Sequence, residues 1–456
     1  MFRIQVAAAL VVAFMTIAAA PSSAQRWVTS WSGSAQGPYP SGNESAQPGL
    51  QFAFPDGHIH DQTFRLIVRP STWGRRARLR FSNAFGTEPL TVDEAFVGLQ
   101  MSGAAVAPGS NRPLTFKSKK AVVIPAGADA WSDPMTLPFV GAAGSPELLG
   151  RKLAVSFHVA GDVRHATWHA KAMQTSYVMA AGAGALGELE DESPFPNSTT
   201  SWYFLDAIDM QAGPELSAVV CLGDSITDGS NSTLNGDDRW PDVLARRLLA
   251  AGTPMAVVNA GIGGNQVVGP AEYAPETPVP GGPSALSRLD RDVLALSGVS
   301  HVIWLEGIND FSANGKASFE QVRDGMKQGV ARLRAKFKGV KVIGATLTSA
   351  LGSTVTGHGT PDQDAQRRQL NEWIRHSGGT FDAVADFDRA TVDRTTGKLR
   401  PEFVPNSTVG GPGDGLHPNR AGYAAMADAV DLGALHAPFV PKPKPKPRPE
   451  NDESAE

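Results

Sequence analysis

A single cysteine, Cys221, occurs in 456 residues, so the chain cannot close an internal disulfide. Excess charge of one sign is also lacking. The formal net charge of −4 offers no basic field for nucleic acid and no general attraction to anionic lipid. Beyond the first 24 residues no apolar run is long enough to cross a bilayer. No phosphate-cradling glycine loop and no internal repeat occur. These absences exclude a disulfide scaffold, a membrane bundle, a nucleic-acid binder and a nucleotide-driven enzyme.

With 41% apolar and 19% charged residues, the composition is that of a globular chain, long enough for two domains with separate cores. Met1-Phe-Arg3, the apolar stretch Val6–Ala20 and the small residues Ser22-Ser-Ala24 read as a cleavable secretory signal, residues 1–24. The mature chain is therefore expected to be secreted or periplasmic, without integral membrane association. Cys221 lies in an apolar run, where a buried structural thiol is expected.

Residues 25–212 read as β-rich. The runs "QTFRLIVR" (62–69), "RARLRFSN" (76–83), "KLAVSFHV" (152–159) and "WYFLDAIDM" (202–210) alternate in part and are separated by Gly, Pro and Asn. A β-sandwich or jelly-roll-like domain is expected. From residue 213 the pattern changes. Compact apolar runs "SAVVCL" (217–222), "MAVVNA" (255–260), "HVIWLE" (301–306), "KVIGAT" (341–346) and "FDAVADF" (381–387) alternate with helical stretches at 239–252, 284–297, 318–337 and 362–377, and a last helix after Pro418. Strand–helix alternation over 213–440 predicts an α/β domain, with a parallel sheet covered on both faces. The segment 269–283, "GPAEYAPETPVPGGP", carries five prolines and is stiff enough to wall a site. Residues 441–456, Pro/Lys-rich then acidic, read as a solvated, disordered tail.

In open parallel sheets ligands bind beyond the carboxyl ends of the strands. Ser225 lies three residues past the first strand. "NAGIGGN" (259–265) follows the second, and "GIND" (307–310) the third. "GDGLHPN" (413–419) supplies Asp414 and His417 just before a helix start. An acid three residues before a histidine on a turn can reach its Nδ1–H and leave Nε2 facing a nucleophile. No G-x-S-x-G elbow is present, since Thr227 stands where its second glycine would be, and this argues against an ordinary α/β-hydrolase.

Four blocks in this order, "GDSITDG", "NAGIGGN", "GIND" and "DGLHPN", resemble the SGNH hydrolases, also called the GDSL esterase/lipase family. The likeness spans roughly 215–435, and the β-rich half resembles that of a subgroup known as arylesterases or carbohydrate esterases. The resemblance implies a flavodoxin-like three-layer α/β/α domain. It implies Ser225 as nucleophile, His417 as general base and then acid, and Asp414 as its orienting acid. It further implies an oxyanion hole from the backbone N–H of Ser225, the N–H of Gly264 and the side-chain amide of Asn309. No cofactor and no metal are needed for this chemistry.

Other polar residues have plainer readings. Asp224, Asp228 and Asp310 brace the loops they sit in, and Asp386 and Asp388 are rival triad acids. His58, His60 and Asp61 in "GHIHD" are loop residues lacking a third cluster that would complete a metal site. His165 and His169 flank Trp168 as helix neighbours or surface. His301, His358 and His376 have no partner visible in the sequence. The expected substrate is a small carboxylic ester or an acylated polysaccharide, with acetyl or other short acyl groups on carbohydrates or aryl alcohols. An O-acyltransferase or transesterase on extracellular polysaccharide, a lipase for longer chains, or a carbohydrate-binding protein with a decayed catalytic domain are the alternatives. Oligomeric state is not legible.

Overall fold

The computed structural model describes residues 25–41, 53–141, 145–270, 273–274 and 279–436. The expected signal segment 1–24, the tail 441–456 and part of the proline-rich loop lie outside the described residues.

Two antiparallel sheets form the β-rich region. In one, Arg26–Ser32, Leu205–Ala212, Arg76–Ser82 and Met135–Thr136 lie in that order. In the other, Asn197–Thr199, Ser176–Val178, Ile59–Val68, Leu153–Val163 and Leu90–Ser102 follow one another. Their facing side chains share one core: Phe81 of the first sheet meets Phe157 of the second edge to face at 5.2 Å. The run 202–210, expected as one strand, breaks at Phe204. That residue takes a left-handed backbone (φ 58°), so Trp202–Tyr203 pairs with Thr167–His169 while Leu205–Ala212 crosses to the first sheet.

The second half folds as a parallel sheet with strands β1 (Ser217–Gly223), β2 (Met255–Gly261), β3 (Val299–Leu305), β4 (Lys341–Ala345) and β5 (Ala383–Ala385), in the order 2-1-3-4-5. This is the flavodoxin-like order, whose crevice opens between β1 and β3 at the carboxyl ends. Every residue of β1 is buried, because helices cover both faces; this is why the strands read as unbroken apolar runs. The helices are α1 (Ser225–Asp228), α2 (Trp240–Ala250), α3 (Ala285–Leu289), α4 (Phe319–Lys336), α5 (Pro361–Arg375), α6 (Phe387–Thr391) and α7 (Arg420–Asp428). Capping boxes open the two longest, Ser318 with Gln321 and Thr360 with Gln363, satisfying first-turn donors. Trp240, Leu244 and Leu248 of α2 are buried, with Pro241 in its first turn. The expected strand 381–387 is cut to three residues, because the Asp386 side chain accepts the Arg389 N–H and starts α6 instead. The expected helix 284–297 widens after Leu289 into a π-turn over Asp290–Leu294.

Polar contacts lock the two halves together. Thr29 N–H donates to Ser297 O at 3.0 Å and Ser297 N–H returns to Thr29 Oγ1 at 2.9 Å. Asp209 Oδ2, fully buried, accepts from Arg78 (2.7 Å) and Ser297 Oγ (2.7 Å). Arg291 Nη2 reaches back to Ala35 O at 2.6 Å.

Candidate active site

β1 ends at Gly223, whose neighbours are too close for a side chain: a Cβ there would lie 2.4 Å from Leu305 O. Asp224 then caps α1 through its carboxylate, which accepts Ile226 N–H at 2.9 Å. This turn lifts Ser225 to the head of α1, where its backbone N–H has no partner within the helix. Ser225 Oγ lies 2.8 Å from His417 Nε2, and His417 Nδ1 lies 2.7 Å from Asp414 Oδ2. The other Asp414 oxygen accepts the N–H groups of Leu416 (2.9 Å) and His417 (2.8 Å). Burial raises the Asp414 pKa, but the hydrogen bond and charge of His417, with both N–H groups, outweigh it and hold the carboxyl well below its ordinary range. A carboxylate so fixed accepts the hydrogen bond of Nδ1–H. Nε2 is left as an acceptor for the serine hydroxyl. Asn419, two residues beyond His417, caps α7 by accepting from Ala421 and Gly422 N–H. His417 therefore lies in the approach to the helix rather than at its cap.

The remaining two blocks reach the same rim. Asn309 Nδ2 donates to Asn265 O at 2.9 Å and Oδ1 faces His358 Nε2 at 3.1 Å. One amide hydrogen is thereby left for the cleft, since the NH₂ group has two. Gly264 takes φ 80°, a left-handed turn that favours glycine. Its loop is tied down by Asn265, whose Nδ2 donates to Gly281 O (2.6 Å) and Pro283 O (2.7 Å) of the proline-rich segment. Ser225, Gly264, Asn309 and His417 all line one cleft of about 460 Å³. Its apolar wall comes from Ala170, Pro280, Val355 and Leu416, and its polar wall includes Gln36, Lys171, Ser230 and His358.

The other candidates lie elsewhere. Asp386 and Asp388 pair with Arg375 at 2.7 and 2.8 Å, and Asp388 also with Arg367. Asp310 accepts Val267 and Val268 N–H (2.8 and 3.1 Å), and burial still pushes it up to about 7. His60 pairs with Asp162 at 2.7 Å, far along the β-rich region. Cys221 is buried in β1, where burial pushes its thiol up.

His169 is the clearest correction. It lies in the strand Thr167–His169, not in a helix or on the surface, and is buried. Its Nδ1 lies 2.8 Å from Ser34 O and its Nε2 3.0 Å from Asp228 Oδ1. The other Asp228 oxygen accepts Gly263 N–H at 3.1 Å, next to Gly264. Burial lowers the His169 pKa, but the charge and hydrogen bond of Asp228, with the carbonyls of Ser34 and Lys171, bring it above the ordinary value. Each ring nitrogen faces acceptor oxygens, an arrangement that favours the protonated, cationic ring. Asp228→Ala strands that cation and is expected to cost about 3–5 kcal/mol of unfolding free energy, read by urea denaturation. The pair's contribution is complete below the ordinary histidine pKa of ~6.5 and is lost as pH rises through the raised value. An alkaline fall in Tm that is absent from His169→Gln checks the sign.

Sequence reasoning missed Gln36, Ala170, Lys171 and His358 as cleft residues. The first three belong to the β-rich half and carry no local motif. His358 stands within the 350–362 loop, and its only signal is a histidine close to a helix cap.

Residues 221–425 match the model of the GDSL-like lipase/acylhydrolase family. They are a GDSL-like acylhydrolase domain. A β-rich half precedes this segment. Among solved structures, a lipase/acylhydrolase from Enterococcus faecalis is 22% identical, covers 47% of this chain and 93% of its own, and has a TM-score of 0.35. A carbohydrate acetylesterase family member from Sinorhizobium meliloti is 18% identical over 47% of this chain and 95% of its own, TM-score 0.36. The aryl esterase of M. smegmatis is 17% identical over the same shares, TM-score 0.36. Comparison with curated proteins gave no significant match.

Proposed function

We propose that the protein is an exported serine esterase that hydrolyses short-chain carboxylic esters through an acyl-enzyme on Ser225. The observation that carries this reading is the continuous chain Asp414–His417–Ser225, at 2.7 and 2.8 Å, opening into the same cleft as the Asn309 amide. In the first step Ser225 Oγ attacks the ester carbonyl while His417 Nε2 takes its proton. The carbonyl oxygen gains negative charge and is received by the N–H groups of Ser225 and Gly264 and by Asn309 Nδ2. The tetrahedral adduct collapses, His417 returns the proton to the leaving alcohol, and the acyl group stays on Ser225. Water, deprotonated by the same imidazole, then releases the acid.

A cleft of about 460 Å³ is at the small end for organic ligands. Its short apolar wall of Ala170, Val355 and Leu416 suits an acetyl or similarly short acyl group. The alcohol portion, a sugar or an aryl group, would then occupy the open side. A panel of p-nitrophenyl esters of rising chain length, run beside acetylated xylan, is expected to peak at two to four carbons. A maximum at eight carbons or more would make the protein a lipase instead. Export rests on the sequence of Met1–Ala24 and is checked by fractionating cells that express the full chain.

A further inference from the structure

Lys171 is the only lysine or arginine among the described residues lining the cleft. Among the described residues its Nζ makes one hydrogen bond, to Ser230 Oγ at 3.2 Å, which leaves two of its three N–H donors without a partner there. Among the described residues no carboxylate forms an ion pair with it within 4.0 Å. Asp228 and Asp414 are the carboxylates that act on it electrostatically. Both are already engaged, Asp228 by His169 and Gly263 N–H, Asp414 by His417. Burial outweighs their pull and lowers the lysine's pKa from its ordinary value. Lys171 is half-buried at the cleft wall, and a partly desolvated ammonium without a close ion pair favours an anionic partner.

The surrounding backbone holds this lysine in place. On one side Ser201 Oγ donates to Ala170 O at 2.5 Å, and on the other Ala172 N–H donates to Thr200 O at 2.8 Å. Its partner Ser230 follows the Gly229 cap of α1, and Ser230 N–H donates to Ser225 O at 3.0 Å. Lys171 thus bonds the side chain of a residue whose own N–H is tied to Ser225 O, and it does so from an anchored segment. A surface lysine would swing freely in solvent. This one is positioned where part of a bound ester must lie.

We propose that Lys171 and Ser230 form an anion subsite within the cleft, so that the preferred ester carries a carboxylate, on either its alcohol or its acyl portion. The proposal rests on the esterase reading for what it binds, and deepens it: the β-rich half contributes the charge that selects the substrate. A uronate-bearing polymer or an aromatic acid would place the carboxylate on the alcohol side, and a dicarboxylic monoester on the acyl side.

Two matched pairs separate these sources. 4-Acetoxybenzoate against 4-acetoxybenzamide tests the alcohol side; the 4-nitrophenyl monoester of glutarate against its methyl-capped form tests the acyl side. In at least one pair the anionic ester is expected to have a kcat/KM about tenfold or more above its neutral partner. Most of that should appear in KM, and it should shrink as salt rises. Lys171→Gln should bring the ratio to about one, and Lys171→Arg should keep it. Calorimetry on Ser225→Ala gives a reading independent of turnover. The favoured anionic ester should bind more tightly than its neutral partner, and Ser225→Ala/Lys171→Gln should lose that difference. A ratio near one in both pairs for the unmodified protein, or a preference that survives Lys171→Gln, overturns the subsite. Turnover with flat ratios would leave the esterase standing without the subsite. Selective binding without turnover of any ester would do the reverse.

Discussion

Ser225→Ala is expected to lower kcat by about 10⁶-fold, the loss typical when the nucleophile of an acyl-transfer triad is removed. The size follows from the geometry. Ser225 Oγ is the atom that His417 Nε2 faces at 2.8 Å, and alanine leaves the imidazole with nothing to deprotonate. The fold should not suffer, because the hydroxyl has no other hydrogen-bond partner among the described residues, so Tm should stay close to that of the unmodified protein. Steady-state kinetics on a p-nitrophenyl ester measures the loss, and a fluorophosphonate probe should label the unmodified chain and not the variant. Ser225→Ala/His417→Ala should be no slower than Ser225→Ala, since the two act as one unit. A double variant slower by the product of the single losses would mean that the serine and histidine act independently.

Asn309→Ala is expected to cost two to three orders of magnitude in kcat, about 2.7–4 kcal/mol, with KM little changed. Its amide donates one hydrogen to Asn265 O and can spend the other only on charge that appears on the substrate oxygen. The interaction strengthens as that charge develops, which is why the loss belongs in kcat. His358 holds the opposite end of the amide at 3.1 Å. His358→Ala should therefore reproduce a smaller share of the same kcat loss, again without a matching change in KM. If Asn309→Ala turned over at nearly the unmodified rate, the oxyanion would have to be held by the backbone N–H groups alone.

The parallel half was legible because its strands are buried on both faces and its chemistry sits at strand ends. Each of the four blocks is a short stretch whose glycines and polar residues follow an apolar run, so position in the fold and local sequence coincide. The β-rich half was harder. Leu90–Ser102, its longest strand, was passed over, because Ala95 through Leu99 are consecutively buried and the alternation that marks a strand is lost there. The run 202–210 looked like one strand, since nothing in the sequence marks Phe204 as a residue of positive φ. The cleft residues from this half were illegible for a different reason. Lys171 and His169 each meet partners 59 residues away, at and just beyond the end of α1, a proximity only the folded chain creates. Asp228, expected to brace its own loop, instead ends α1 and braces the Gly263 turn. What it braces against, a buried histidine from the other half, has no counterpart in local pattern.

His169 belongs to one half of the chain, the Gly263–Gly264 turn to the other, and a single carboxylate joins them. The two halves are consequently not interchangeable parts. Exchanging residues 25–212 for a foreign β-rich segment would remove the histidine that Asp228 holds while it binds the Gly263–Gly264 turn. A chimera of that kind would keep Ser225 and His417 in place and still lack the support beneath the Gly263–Gly264 turn.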